Sequence, residues 1–372
     1  MNINFITNQD LGETSGGWSG INSNIYRQLS KSFNINYVGP VNPPFNFLEK
    51  LISKLKRFLG LRSRFSFFSE NRLNTIKNRV EQEKEISDYD FYFGQTPWVN
   101  CCSKVPYGVY MDADFKTYLN IFSTPNKFSL KDVNRIAKKE ALWLQKAQHI
   151  FVGSEWAWQE MLKSYKLEDQ QKVIVHTGGN IGLPKNDSYK GGFNLVFISL
   201  NFEKKGGFIC VDAFSKVKEK FPEVTLSIIG EKPPNNILEI EGVVYEGLLR
   251  KTNEQELNKF KNILSKAFLL IHPTKMDTMG AVLIEAGYFG CPSIAPKSFG
   301  IPELVLNNKT GYVIDLPIDY NNIAIKIEEL IQEKDIYSNM RKMSWDYTRA
   351  QLTWENIGMK IESKIKETTS YD

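Results

Sequence analysis

Two carboxylates, Asp277 and Glu285, lie eight residues apart on either side of Gly280. The segment before them is apolar and predicts a buried strand, and the segment after Gly280 predicts a helix. A glycine at this junction lets a ligand approach the backbone, and the first N–H groups of a helix attract an anion. Carboxylate oxygens nearby accept hydrogen bonds from hydroxyl groups. The spacing therefore favours a ligand that carries phosphate and sugar hydroxyls; the alternative is an acidic helix start that only complements the helix dipole.

A second cluster follows the apolar segment 194–200. Lys204 and Lys205 come directly before Gly206 and Gly207, which open a predicted helix. Cations beside a helix N-terminus suit a diphosphate. The alternative is a solvated pair of lysines in a turn. A third junction of the same kind is Gly300-Ile-Pro-Glu303, after a strand predicted at 293–295.

Asp112 and Asp114 form an Asp-x-Asp motif at the end of a predicted strand. Such a pair can hold a divalent cation through its oxygens, although oxygen ligands alone do not identify a metal. The alternative is chance occurrence at a strand-to-loop junction. We predict no metal and no cofactor, because the second half of the chain supplies a cationic diphosphate site. The four cysteines include no Cys-x-x-Cys pair, and three histidines leave little for a zinc site.

The elements that must position these residues alternate between strand and helix along both halves of the chain. This alternation predicts an α/β fold with parallel sheets. A segment rich in Gly, Pro, Asn and Lys at 181–192 interrupts the pattern and reads as a linker. We therefore predict domains at 1–185 and 186–345, and a C-terminal helical segment at 346–372. The N-terminal glycines do not follow the Gly-x-Gly-x-x-Gly spacing of a dinucleotide site.

The composition excludes several classes of protein. A chain of 372 residues with 42% hydrophobic and 24% charged residues is neither disordered nor fibrous. No apolar stretch is long enough to span a bilayer, and the first residues lack the features of a signal peptide, so we expect a cytoplasmic protein. The net charge of +5 is concentrated between residues 49 and 79, with nine Lys or Arg against two Glu. No nucleic-acid-binding signature accompanies this segment, so we expect no nucleic-acid partner.

The same basic region contains an amphipathic pattern. Apolar residues recur at three- and four-residue spacing from Phe47 to Leu59, with lysines and an arginine between them. This pattern predicts a helix with a cationic polar face. One interpretation is attachment of residues 47–64 to an anionic membrane, on the inner face of the cytoplasmic membrane. The other is a helix packed on its own domain with a solvated basic face.

Taken together, the motifs resemble those of glycosyltransferase family 4, and several resemble a bacterial subgroup of that family. The matching segments are Asp277 with Glu285, Gly290-Cys-Pro292, Gly300-Ile-Pro-Glu303, Lys205-Gly206, Gly16-Gly17, Trp18-Ser-Gly20, Tyr110–Phe115, Gly153–Ala157 and Glu203–Gly207. The resemblance covers nearly the whole chain. It implies the GT-B architecture: two Rossmann-like domains, an interdomain cleft where donor and acceptor meet, and a C-terminal crossover helix.

The resemblance also implies roles for individual residues. Glu285 would hold the ribose of a nucleotide sugar and Asp277 the hydroxyls of the transferred sugar. The diphosphate would lie against Lys205 and the backbone N–H groups of Met279 and Gly280. The remaining expected contacts are a phosphate-facing loop at Gly16 and Gly17, and support for the diphosphate from Lys204.

Three positions depart from the family pattern. Asp277 stands where the family has glutamate, Leu200 where many members have arginine, and Asp112 where many have an active-site histidine. We take Asp112 as the candidate for orienting the sugar or the acceptor, and Lys204 as a substitute for the missing arginine. The implied reaction is retaining transfer of a sugar from a nucleotide diphosphate to a hydroxyl of a glycan or lipid-linked acceptor in envelope synthesis. Alternatives are an epimerase or phosphorylase of the same fold, or a non-catalytic sugar-nucleotide-binding protein.

Overall fold

The computed structural model describes residues 1–12, 20–123 and 127–369. The chain divides into two compact units, one made of Met1–His176 with Ile357–Asp372 and the other of Thr177–Asn356. The sequence places the first boundary at 185–186, whereas the units change at 176–177. Hydrogen bonds explain this position: the Gly179 N–H donates to the Tyr288 hydroxyl at 2.9 Å, and Trp354 Nε1–H donates to the Gly179 carbonyl at 2.8 Å. The residues just before the predicted linker are therefore part of the second unit.

The first unit contains a six-stranded parallel sheet in the order β2-β1-β3-β4-β5-β6. Its central strands are buried at every residue, as expected when helices cover both faces of a parallel sheet. The strands are β1 (Asn2–Ile6), β2 (Asn34–Val38), β3 (Tyr89–Phe93), β4 (Tyr107–Met111), β5 (His149–Val152) and β6 (Lys172–Ile174). The helices are α1 (Ile21–Leu29), α2 (Phe47–Phe58), α3 (Glu70–Glu83), α4 (Phe115–Phe122), α5 (Leu130–Leu144) and α6 (Glu155–Ser164).

The second unit repeats this plan with the strand order β12-β11-β10-β7-β8-β9, again all parallel. The strands are β7 (Asn194–Ser199), β8 (Thr225–Gly230), β9 (Val243–Gly247), β10 (Ala267–Ile271), β11 (Ser293–Pro296) and β12 (Gly311–Ile314). The helices are α7 (Gly207–Lys218), α8 (Asn235–Leu238), α9 (Glu254–Ser265), α10 (Ala281–Tyr288), α11 (Tyr320–Gln332) and α12 (Lys334–Gln351). Because all strands are parallel, the loops that follow them meet at one edge of the sheet.

A last helix, α13 (Trp354–Thr369), begins in the second unit and continues in the first. Its apolar residues Ile357, Ile361 and Ile365 are fully buried. A Cβ on Gly358 would lie 2.5 Å from the Gln28 side chain, so the helix packs closely against α1 at that point. None of the helices in the described ranges combines the length and the apolar content that crossing a bilayer requires.

A buried carboxylate, Glu140, ties together the elements that follow β4. It is fully buried on α5 and accepts hydrogen bonds from the Thr96 hydroxyl at 2.6 Å, the Phe115 N–H at 2.8 Å and the Tyr165 hydroxyl at 3.0 Å. Burial raises the pKa of the Glu140 carboxyl to about 7, although the hydrogen bonds act in the opposite direction. Phe115 opens α4, so this carboxylate fixes the start of the helix next to Asp112.

We expect Glu140 to make the first unit less stable as the pH rises. The folded state holds the proton more tightly than the unfolded state, so stability is lost between pH 4.5 and about 7 and stays constant above that value. Glu140→Gln keeps the shape and removes the charge. Relative to the wild type, its melting temperature should therefore increase between pH 5 and pH 8. The gain should be several degrees, because each kcal/mol shifts the melting temperature by roughly 2–4 °C in a domain of this size.

Differential scanning calorimetry at a series of pH values measures this difference. Comparing the variant with the wild type removes the contribution of His149, whose pKa burial lowers to about 4 and which acts in the opposite direction. A difference that does not depend on pH would show that Glu140 is ionised throughout the range.

Candidate nucleotide-sugar site in the second unit

The loops after β7 and β10 form the centre of the site. These strands are neighbours in the sheet, so their carboxyl ends place the two loops side by side. The Lys275 N–H donates to the Lys204 carbonyl at 3.2 Å and joins the loops through the backbone. Gly206 begins α7 with a φ of 83°, and a Cβ there would lie 2.2 Å from the Pro273 carbonyl oxygen. Only glycine allows the loops to approach this closely.

Lys205 and Asp277 form an ion pair across the two loops. Lys205 Nζ donates to Asp277 Oδ2 at 2.5 Å and to the Met276 carbonyl at 2.7 Å. His272 Nε2 lies 3.3 Å from the same carboxylate oxygen. Burial alone would raise the pKa of the Asp277 carboxyl, but the His272 hydrogen bond and the Lys205 charge hold it well below its usual range. Asp277 is therefore ionised at neutral pH.

The other Asp277 oxygen caps the turn that leads into α10. Oδ1 accepts the Thr278 N–H at 2.9 Å and the Met279 N–H at 3.3 Å. Gly280 follows in the left-handed region with a φ of 84°, and α10 starts at the next residue. The Met279 N–H, which the family resemblance places at the diphosphate, thus bonds to Asp277 in this state. A phosphate oxygen that takes this N–H must replace the carboxylate oxygen.

Glu285 lies inside α10 and is fully buried. Its Oε1 accepts the Asn180 N–H at 2.9 Å and Lys251 Nζ at 2.5 Å. Its Oε2 has no hydrogen-bond partner among residues 1–12, 20–123 and 127–369. A buried carboxylate oxygen without a donor is costly, so a ligand hydroxyl at this position would be bound strongly.

Lys251 is the residue that sequence reasoning missed. It lies in the loop after β9, and its ammonium also lies 5.2 Å from the ring centre of Phe260. The available signal was a pair of cations, Arg250 and Lys251, at the carboxyl end of a strand. That strand is a half-exposed edge strand and has a weak apolar pattern, so the sequence analysis did not include it.

The other residues predicted for the site differ in exposure, in the unit to which they belong, and in whether the structure describes them. Lys204 is exposed next to Lys205, and Leu200 is 74% exposed after β7. Gly16 and Gly17 lie outside the described residues. In the first unit, Asp112 is half-buried directly after β4.

The second aspartate of the Asp-x-Asp motif has a structural role. Asp114 is buried and caps α4, accepting the Lys116 N–H at 2.9 Å, the Thr117 N–H at 3.1 Å and the Thr117 hydroxyl at 2.5 Å. Burial raises the pKa of this carboxyl, against the effect of those hydrogen bonds. Within the described part of the chain, no three His, Cys, Asp or Glu side chains are grouped so as to hold a metal ion.

We predict that Lys251→Met destabilises the second unit, because it leaves a buried carboxylate without its cation. Breaking a buried ion pair in this way costs about 3–5 kcal/mol, and the partial exposure of Lys251 places the loss near the lower value. Adding Glu285→Gln to Lys251→Met should recover part of the loss, since the uncompensated charge is gone. Denaturant unfolding of the single and double variants measures this coupling.

The matched control is Lys342→Met, which breaks an exposed ion pair with Asp346 on the same unit. Such a pair contributes about 0–1 kcal/mol. Additive effects of Lys251→Met and Glu285→Gln would contradict the assigned coupling.

Comparisons with known proteins show which sequences and folds this chain resembles. Residues 183–345 match the family model for glycosyl transferases group 1. The capsular polysaccharide biosynthesis glycosyltransferase CapM of Staphylococcus aureus is 24% identical over 183 residues, which cover 47% of this chain and 47% of CapM. The match thus spans about half the length of that relative.

Solved structures show the same fold over the full length. The sucrose-phosphate synthase of Thermosynechococcus elongatus aligns with a TM-score of 0.70 and 14% identity, covering 100% of both chains. HepE of Anabaena, solved in complex with UDP-glucose, aligns with a TM-score of 0.65 and 15% identity, also over 100% of both chains. The two parallel sheets form the GT-B architecture. Within this architecture, the part of the chain that is similar to the group 1 glycosyl transferases runs from residue 183 to residue 345 and contains the Lys205, Asp277 and Glu285 site.

Proposed function

We propose that this protein is a retaining glycosyltransferase of family 4 that moves a sugar from a nucleotide diphosphate to a hydroxyl of a glycan or lipid-linked acceptor. The single observation that carries this proposal is Glu285 Oε2, a buried acceptor inside α10 that has no donor in the described part of the chain. Hydroxyl groups of a ribose are donors of the required kind. The similarity to CapM, named for capsular polysaccharide biosynthesis, supports a place in bacterial envelope or extracellular polysaccharide synthesis.

The positive charge for the diphosphate comes from two sources in this proposal. One is the N-terminus of α10, where the N–H groups of Met279 and Gly280 lie directly before the first helical residue. The other is Lys205, which exchanges Asp277 for a phosphate oxygen when the donor binds. Lys204 is exposed one residue away and adds to the local potential. A lysine and a helix N-terminus together supply the charge that a divalent cation supplies in other transferases, so we propose metal-independent catalysis.

Asp277 binds the sugar once Lys205 has moved to the diphosphate. Its carboxylate is ionised, since the His272 hydrogen bond and the nearby Lys205 charge hold its pKa low against the effect of burial, and it accepts the sugar hydroxyls. Asp277 thereby fixes the sugar relative to the leaving group. Positioning of this kind accounts for much of the rate enhancement in transfer reactions.

The chemical step needs no nucleophile from the protein. The acceptor oxygen forms a bond to the anomeric carbon on the face from which the diphosphate departs, and the carbon–oxygen bond to the diphosphate breaks. The proton of the acceptor hydroxyl passes to an oxygen of the leaving phosphate. Lys205 and the start of α10 stabilise the charge that accumulates on this phosphate. Asp112, after β4 in the first unit, is assigned to orient the sugar or the acceptor.

We expect Glu285→Gln to weaken binding of a nucleotide diphosphate by about 10- to 150-fold, since a hydrogen bond to a charged group contributes about 1.5–3 kcal/mol. Isothermal titration calorimetry with UDP, GDP and ADP measures this change and identifies the base. Glu219→Gln is the matched control, because Glu219 is an exposed carboxylate on the same unit. Equal affinities of Glu285→Gln and the wild type would reject the ribose contact.

The stereochemistry of the product tests the reaction itself. With the nucleotide α-sugar that binds best, the product should carry an α linkage, which the anomeric coupling constant in its proton spectrum reveals. Activity should persist in EDTA, because no step of the proposed reaction uses a metal. A β-linked product would exclude retention. Loss of activity in EDTA that Mn²⁺ restores would contradict metal-independent catalysis and support a metal-binding role for Asp112.

A further inference from the structure

Helix α2 packs on its domain with the opposite face from that expected. Its one buried residue in the described helix is Ser53, which lies in the middle of the polar face. The apolar residues are all exposed, by 74% for Phe47, 65% for Leu48, 58% for Leu55 and 88% for Phe58. A helix that served only to complete the core would bury these side chains and expose its serine.

The apolar side chains form one continuous surface. At about 100° per residue, Phe47, Leu48, Leu51, Ile52, Leu55 and Phe58 fall within an arc of about 140° on α2. Leu59 and Leu61 follow directly and are 60% and 56% exposed. An apolar surface of this extent, rimmed by polar residues, indicates an interaction site.

Cations flank this arc on both sides. On the helical wheel Lys54 lies at one edge of the arc and Lys56 at the other, while Lys50 and Arg57 lie closer to the Ser53 face. Between residues 49 and 64 the chain has six Lys or Arg and only one Glu. The surface therefore combines apolar side chains at the centre with a positive rim.

Hydrogen bonds define both ends of the helical segment. The Asn46 side chain caps its start by accepting the Leu48 N–H at 3.0 Å and the Glu49 N–H at 3.4 Å. Beyond its end, Ser63 is tied to the domain by hydrogen bonds with the backbone at Lys127 and Ser129. The apolar arc thus lies on a helix whose start is capped and whose following segment is hydrogen-bonded to the domain.

The positive charge around the apolar arc favours an anionic bilayer over a second copy of this chain as the binding partner. A second copy of this chain would bring two equally positive rims together, and the repulsion would oppose a dimer through this face. An anionic bilayer complements both parts of the surface, since the lipid headgroups pair with the cations and the acyl chains receive the apolar residues.

We propose that α2 is an interfacial anchor that inserts its Phe47–Phe58 apolar arc into the surface of a membrane containing anionic lipids. The flanking lysines remain at headgroup level, and the Ser53 side stays against the protein. This partner goes beyond the proposed transfer reaction, and its test uses no donor and no acceptor.

Co-sedimentation with vesicles tests the proposal. The protein should bind vesicles of phosphatidylglycerol and phosphatidylcholine at low salt, and bind vesicles of phosphatidylcholine alone at least about tenfold more weakly. High salt should reduce binding to the anionic vesicles, because screening weakens the attraction. Hydrogen exchange of residues 47–59 should slow only when anionic vesicles are present.

Two sets of substitutions separate the apolar and cationic contributions. The triple variant Leu51→Ser, Leu55→Ser, Phe58→Ser should lose vesicle binding at every salt concentration. The variant Lys50→Gln, Lys54→Gln, Lys56→Gln, Arg57→Gln should lose the preference for anionic lipid. The matched control changes the same amount of charge at exposed lysines elsewhere on the unit, Lys104, Lys131, Lys138 and Lys146, and should bind as the wild type does.

The substituted side chains of α2 are solvent-exposed, so the variants should keep the wild-type melting temperature and the wild-type affinity for nucleotide. Failure of the wild type to bind anionic vesicles at low salt would overturn the proposal. So would equal binding by the triple variant, or a wild-type dimer in sedimentation that the triple variant dissolves, which would identify a second copy as the occupant.

Discussion

The Lys205–Asp277 ion pair is the interaction on which the arrangement of the site depends. It joins the loops of two neighbouring strands, and the rest of the site is built around that junction. Gly206 lets the loops meet, and the Asp277 carboxylate caps the turn that starts α10. Helix α10 in turn carries Glu285 into the interior. A change in this pair is therefore expected to be transmitted to the helix N-terminus and to the second carboxylate.

The two carboxylates differ in how their charge is stabilised. Asp277 is partly exposed and has partners on both oxygens, including a histidine and a lysine. Glu285 is fully buried, and among the described residues its partners, Lys251 and the Asn180 N–H, lie on one oxygen only. The first can exchange partners when a ligand arrives, whereas the second is held rigidly with one oxygen open. This difference suits a substrate in which one part reacts and another is only bound. Asp277 can change partners beside the reacting part, and Glu285 can hold the other part rigidly.

Many of the strands and helices could be predicted from the sequence, because buried parallel strands have strong apolar patterns. The apolar segment 194–200 corresponds to β7 (Asn194–Ser199), and the strand predicted at 293–295 corresponds to β11 (Ser293–Pro296). The elements that were not predicted are mostly at sheet edges or amphipathic with weak patterns, such as β9 and β12. Lys251 was missed with β9, since a residue is recognised as lying at the carboxyl edge only when its strand is recognised.

The Lys205–Asp277 pair could not be predicted either, because it depends on the order of the strands in space. The direction in which α2 faces depends on tertiary packing, and a helical wheel cannot supply it.

The fixed geometry of Glu285 has a consequence for selection among cellular nucleotides. Its open oxygen lies in a fully buried environment, so no solvent can replace a missing ligand hydroxyl without a cost. In the proposed site, a donor whose ribose lacks the contacting hydroxyl would leave that oxygen unpaired, and sites built to bind a hydroxyl reject such analogues by large factors. The same carboxylate that anchors the donor would thus discriminate ribonucleotide from deoxyribonucleotide sugars, without any contact to the base.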